Sequence, residues 1–330
     1  MTMTMRAVVL DEPGPVANLN LRRLPIPEPG PGWVRIKVEA FGLNRSELHT
    51  RLGLAEGVAF PRVPGIEATG TIDADPAGVL QPGQQVAALM GGMGRTFDGG
   101  YAEYTVVPSS QLVPFTSDLP WETLGAVPET LQTAYGSLTT GLNLKAGQTL
   151  LIRGGTSALG LATATLAKDL GATVLATTRS PRRTQALAEH GVDHPLVDDG
   201  TLAVQVRTIV PEGVDAALEL VGTPTLPDTL AATRIHGTVC FAGMLSNQWI
   251  VPDFYPIAYI PPGVRLTAYG GDATDLPAAV LQSYLDRIAT GEITLGPLHV
   301  YRLDEIRTAH RDLEESRKVG KLVCVTAAQD

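Results

Sequence analysis

Two textures of hydrophobic patterning divide the chain. Up to about residue 115, short apolar runs rich in β-branched residues are separated by Gly and Pro, at 7–10, 33–38, 68–72, 86–89 and 101–106. Short strands between turn signals predict a small β-barrel. From about residue 117, helical patterns alternate with apolar strand runs at 149–153, 173–177, 196–198, 214–221 and 238–243. That alternation predicts βαβ units around a parallel sheet, and so an α/β fold. The remainder carries a strand at 266–269, helices at 276–288 and 304–315, and a final strand at 321–326. These are expected to return and complete the first domain. The expected division is 1–117, 118–264 and 265–330.

The turn Gly154-Gly155-Thr156-Ser157-Ala158-Leu159-Gly160 follows the first strand of the second half, and a helix of small and apolar residues follows it. Strand, glycine-bearing turn, helix and strand predict the front of a dinucleotide-binding unit. Backbone N–H groups and the positive helix end there face a pyrophosphate. The expected contacts are Gly155, Thr156, Ser157, Ala158, Leu159 and Gly160. Gly160 would let the helix pack closely on the sheet, and Ser157 would cap it.

The next strand ends in Thr177-Thr178-Arg179-Ser180-Pro181-Arg182-Arg183, and no acid stands between Gly171 and Ala188. NAD enzymes usually place Asp or Glu here for the ribose. A cation and two hydroxyls (Arg179, Thr178 and Ser180) instead suit a 2′-phosphate, which Arg179 would grip by charge-assisted, bidentate hydrogen bonds. The alternative is that the arginines are a solvated loop and first helical turn. Arg183 is the second arginine expected at the phosphate. The expected cofactor is NADPH.

Composition narrows the class. The 330 residues suffice for two domains, with 44% hydrophobic and 18% charged residues. A net charge of −9 argues against nucleic-acid or anionic-membrane binding. No apolar run approaches a membrane span, and no signal-peptide core follows Met1 to Arg6. Cys240 and Cys324 lie in apolar strand-like runs and are expected reduced and buried in a cytoplasmic protein.

Several motifs occur in order along the chain: Gly42-Leu43-Asn44-Arg45-Ser46-Glu47-Leu48, Pro61-Arg62-Val63-Pro64-Gly65-Ile66-Glu67-Ala68-Thr69-Gly70, Leu80-Gln81-Pro82-Gly83-Gln84-Gln85-Val86, Gly99-Gly100-Tyr101-Ala102-Glu103-Tyr104, the Gly154–Gly160 turn, and Val319-Gly320-Lys321-Leu322-Val323. With them the chain resembles the medium-chain dehydrogenase/reductase superfamily over nearly its whole length. More narrowly, it resembles the zinc-independent quinone oxidoreductase (zeta-crystallin-like) branch. The resemblance implies a Rossmann parallel-sheet domain plus a GroES-like β-barrel catalytic domain, with the active site in the cleft between them. It also implies a homodimer through the sheet edge near 238–268. The implied activity is NADPH-dependent reduction of quinones or related α,β-unsaturated carbonyls by hydride transfer without zinc. An enoyl-thioester or enone reductase, and a catalytically silent NADPH-binding protein, stand as alternatives.

Zinc-dependent members have a cysteine where this chain has Asn44, a Gly-His-Glu segment at Gly65-Ile66-Glu67, and a third ligand near Glu129. Zinc needs three or four nitrogen, sulfur or carboxylate ligands, so no metal is expected. His190, His194, His236, His299 and His310 read as turn or surface residues. Asn44 matches a pocket asparagine of the family and can donate to a carbonyl oxygen; otherwise it is a turn residue. His49 stands where many relatives have a tyrosine, and is either a proton donor or an ordinary helix residue. Tyr135 resembles a position near the nicotinamide, or else packs in the core. Thr133, Val221, Ala242, Gly243 and Met244 are the further cofactor contacts implied.

Overall fold

A computed structural model describes residues 3–327. It forms two compact units. The first takes in the chain up to residue 129 with 272–293 and the stretch from 297 on; the second comprises 130–271 and 294–296.

In the first unit, β1 (Thr4–Leu10) and β2 (Leu19–Pro25) form an antiparallel ribbon. Next come β3 (Trp33–Gly42), helix α1 (Arg45–Leu52), β4 (Glu67–Ala74), β5 (Gln85–Leu89), β6 (Tyr104–Pro108), β7 (Leu112–Pro114) and the short helix α2 (Trp121–Leu124). β3 is the pivot. Its alternation buries Val34, Ile36 and Val38 and leaves Lys37 outside, as a one-sided strand requires. It pairs antiparallel with both β4 and β6, with register shifts at Arg35/Ile36 and Val38/Ala40 that bend it. Residues 101 and 102 do not continue β6, because they bridge to β1 instead: Val8 N–H donates to the Tyr101 carbonyl.

The second unit is the alternating one. Helix α3 (Pro128–Gly136) leads in. It is followed by β8 (Thr149–Arg153), α4 (Ala158–Asp169), β9 (Thr173–Thr178), α5 (Thr184–Glu189), β10 (His194–Val197), α6 (Leu202–Ile209), β11 (Val214–Glu219), α7 (Leu226–Ala231), β12 (Thr233–Phe241), α8 (Pro256–Tyr259) and β13 (Arg265–Ala268). The strand order is β10-β9-β8-β11-β12-β13, parallel throughout. The order reverses between β8 and β11, where open parallel sheets bind their ligands. Leu151, Leu175, Val206, Ala217, Leu230 and Val239 pack the core on this sheet.

Both expected boundaries move. The strand near 266 was expected to rejoin the first domain, but β13 pairs in parallel with β12, Thr238 facing Arg265 and Phe241 facing Ala268. The second unit therefore extends to residue 271. The first boundary likewise falls after residue 129 rather than 117.

The chain then supplies α9 (Ala278–Ala289), β14 (Leu298–Arg302), α10 (Ile306–Glu314) and β15 (Lys321–Val325). β15 pairs antiparallel with the end of β3, Val323 facing Gly42, and in parallel with β14. One core unites the two ends of the chain, with Ile36 and Phe41 against Ile306, Leu322 and Cys324.

His310 corrects an expectation. It is fully buried, with Nε2 3.1 Å from the Tyr101 hydroxyl. Burial, reinforced by Arg51, pushes its pKa down to about 3, so the ring is neutral. Its neighbours Arg307 and Arg311 point outward and make the segment read as surface. Both cysteines are buried and free. Among the described residues, no helix is long and apolar enough to cross a membrane.

Candidate active site

The carboxyl edge of the parallel sheet gathers most of the expected cofactor contacts. The glycine-bearing turn leaves β8. Its Gly154 and Gly155 N–H groups donate to the side-chain hydroxyl and backbone carbonyl of Thr177, which ties it to β9. Ser157 caps α4 as expected: its Oγ accepts from Gly160 N–H at 3.0 Å and donates to the Gly154 carbonyl at 2.9 Å. Gly160 permits a close approach to the turn rather than to the sheet. A Cβ there would sit 2.6 Å from the Gly155 carbonyl oxygen and 2.7 Å from its Cα. The first N–H groups of α4, at Ala158 and Leu159, have no intrahelical acceptor.

Arg179 is exposed and Arg183 half-buried just past β9. Neither makes an ion pair or side-chain hydrogen bond among the described residues, and a short helical turn, Pro181–Arg183, runs into α5. Thr178 differs: it is buried, and its hydroxyl accepts from Ser180 N–H at 3.3 Å. Val221 follows β11, which pairs with β8, and Ala242, Gly243 and Met244 follow β12, the next strand beyond β11. Glu219 holds both segments. Its carboxylate accepts from Val221 N–H, and its carbonyl accepts from Ala242 and Gly243. Thr133 is buried and Tyr135 half-buried on α3.

Beneath this edge lies a cluster that sequence reasoning missed. Arg153, 1% exposed, pairs bidentately with Asp198 at 2.8 and 2.9 Å and reaches Asp228 at 2.9 Å. Asp228 also accepts from the N–H groups of Leu202 and Ala203. Two strand ends, those of β8 and β10, and two helices, α6 and α7, are thereby joined through one guanidinium.

In the first unit, Asn44 precedes α1 and is half-buried, while His49 is buried on that helix. The Asn44 carboxamide is held at both ends. Its Oδ1 accepts from Lys321 Nζ at 2.5 Å, and its Nδ2 donates to Glu67 Oε1 at 2.9 Å. An ammonium can only donate and a carboxylate only accept, so these partners fix which end is oxygen. Lys321 also pairs with Glu67 at 3.1 Å and approaches Glu129 at 3.7 Å. Burial would lower its pKa, yet Glu67 and Glu129 hold it above the ordinary value. Glu47 binds two segments together, accepting from Asn44 N–H at 2.9 Å and Ile66 N–H at 2.8 Å. Burial pushes its pKa up to about 7, against the hydrogen bond from Ile66 N–H and the Lys321 charge.

These residues do not fit a zinc ion. The positions that correspond to metal ligands, 44, 66 and 129, present a carboxamide, an isoleucine and one carboxylate, with an ammonium among them. Among the described residues, no group of three or more His, Cys, Asp or Glu is placed to hold a metal. Glu67 and Lys321 belong to motifs visible in the sequence, but nothing in the spacing pairs residues 254 positions apart.

Known proteins bear on this geometry. Residues 30–117 match the alcohol dehydrogenase GroES-like domain, and residues 158–279 match the family described as zinc-binding dehydrogenase. The human synaptic vesicle membrane protein VAT-1 homolog is 30% identical over 346 residues, covering 97% of this chain and 86% of that protein. A probable quinone oxidoreductase of Schizosaccharomyces pombe is 26% identical, covering 97% of both. This chain belongs to the quinone oxidoreductase-like branch of the medium-chain dehydrogenase/reductase superfamily. A mycobacterial member solved in complex with NADPH superposes with a TM-score of 0.85 at 27% identity, covering 98% of this chain and all of that one. As in the superfamily, a GroES-like domain and a Rossmann-like parallel sheet share one chain, and the relatives support an oxidoreductase.

Proposed function

We propose that this oxidoreductase uses NADPH to reduce quinones or related α,β-unsaturated carbonyl compounds, without zinc. The observation that carries the reading is the Lys321 ammonium among Asn44, Glu67 and Glu129, where a metal would have to lie. Bound NADPH supplies the hydride. Without a Lewis acid, the protein must polarise the acceptor by hydrogen bonding, which suits an acceptor that spreads the arriving charge onto a carbonyl oxygen. The Asn44 carboxamide donates one Nδ2–H to Glu67, and its second Nδ2–H is the donor for that oxygen. His49 is the proposed proton source, because an imidazole can carry and release a proton.

Arg179 and Arg183, free of internal partners, support a site for the 2′-phosphate, with the N–H groups of Thr156, Ala158 and Leu159 facing the pyrophosphate. The protein named as an NADPH complex among the structural relatives is in line with this preference.

The test is NADPH oxidation with a panel of quinones and enones. The parent protein is expected to turn over quinones. Asn44→Ala is expected to lower kcat/KM roughly 10- to 100-fold, as for one lost hydrogen bond to developing charge, with NADPH binding unchanged. His49→Phe is expected to flatten the pH dependence of turnover near neutrality. NADPH binding with no turnover on any acceptor would refute the reading.

A homodimer through the sheet edge is part of the proposal. β13 is the edge strand, and Ile235, Tyr255 and Ile257 stand 62, 63 and 83% exposed on the same unit. Apolar side chains beside an open strand favour pairing with a second copy. Sedimentation at micromolar concentration is expected to give a dimer, and a lone monomer peak would remove this part.

A further inference from the structure

Lys321 has a side chain 6% exposed at the start of the last strand, yet its ammonium lies against three residues from three other elements: Asn44 before α1, Glu67 at the head of β4 and Glu129 in the first turn of α3. Glu67 is itself fully used. Its Oε1 accepts from both Lys321 and Asn44, and its Oε2 accepts from Glu129 N–H at 3.1 Å. Room for this pairing comes from Gly42. A Cβ there would run into Glu67 Oε1 and Lys321 Cε and lie 2.8 Å from Nζ. A glycine, a buried lysine and a buried glutamate, distant in sequence, are thus mutually shaped.

A buried ion pair contributes little net stability relative to a packed apolar pair, so stability alone gives it no clear purpose. Its effect on Asn44 does. With oxygen held by a cation and one N–H held by an anion, the carboxamide can neither flip nor rotate. Withdrawal of electrons toward Lys321 also makes the remaining N–H a stronger donor.

We propose that Lys321 is the resident cation of this site and the positioning residue for Asn44. It neutralises Glu67 and Glu129 in a metal's stead, and it locks the Asn44 carboxamide with its second N–H presented to the acceptor oxygen. This rests on the reading of Asn44 as the acceptor's hydrogen-bond donor.

Removing the ammonium alone would strand a buried carboxylate and could unfold the unit, so the decisive variant removes both charges, Lys321→Met with Glu67→Gln. Thermal melting and NADPH titration are expected to match the parent. With 1,4-naphthoquinone at saturating NADPH, kcat/KM is expected to fall roughly 10- to 100-fold. In the Asn44→Ala background the same double change is expected to cost less than 3-fold, because the residue it positions is already gone. A double variant at the parent kcat/KM, or one that loses as much in the Asn44→Ala background as in the parent, overturns the proposal. A parent that turns over no quinone or enone fails the functional reading itself, which separates the two failures. A readout independent of turnover is zinc titration by calorimetry. The parent is expected to take up none. Stoichiometric uptake by the parent overturns the resident-cation assignment.

Discussion

Arg153→Leu is expected to destabilise the second unit by about 3–5 kcal/mol, the range for removing one partner of a buried ion pair. The leucine fills part of the space but leaves Asp198 and Asp228 facing each other without the guanidinium that joins them. Glu219 is also affected. Burial already raises its pKa, and the Arg153 charge opposes that rise. In the variant its folded-state pKa climbs further above the unfolded value, so the folded state binds a proton that the unfolded state has released. The deficit is therefore smallest near pH 4.5, where the unfolded carboxyl still holds its proton, and grows as pH rises through the folded pKa. Denaturant titration at pH 5 and pH 8 checks both sign and size. An equal, small loss at both pH values would mean that the cluster is solvated.

The second large effect is expected at Arg179. Arg179→Ala removes a charge-assisted hydrogen bond of roughly 1.5–3 kcal/mol, which weakens NADPH binding about 10- to 100-fold. NADH binding should hardly change, because its ribose carries no phosphate at that place. Fluorescence titration with both cofactors makes the comparison, and equal losses would assign Arg179 a structural part. The freedom of Arg179 from internal partners sharpens the expectation, since no ion pair of the apo protein has to be broken first.

The parallel sheet was legible in the sequence because its strands are short, apolar and regularly separated by helical patterns, as at 149–153 and 173–177. The Ser157 cap was legible for the same local reason. What escaped was whatever depends on distant partners. β2 reads Leu-Asn-Leu-Arg-Arg-Leu-Pro and is half-exposed, so its alternation is diluted by charge. β13 was seen as a strand but assigned to the wrong unit, because its own residues do not say which strand they pair with. Arg153 closes the apolar run at 149–153, and Lys321 stands in the Val319–Val323 motif, and neither run names a charged partner. Each is buried only because acids 45 to 75 positions away in one case, and about 190 to 254 in the other, fold back onto it. Charge in a sequence reports its burial poorly when the partner is non-local, and it is the buried charges that shape the candidate site.

The pairing of β15 with the end of β3 sets an order of events during synthesis. The parallel-sheet unit is almost one continuous stretch, so its core can close while the ribosome is still making the rest. The first unit has to wait. Ala40, Phe41 and Gly42 emerge early, but their partners Val325, Cys324 and Val323 lie on the far side of the second unit and emerge after it. Throughout that interval the nascent chain carries an open, apolar strand edge, which is the kind of surface on which chains pair wrongly. A chain that stopped before Lys321 would leave that edge open for good and Glu67 without its ammonium partner.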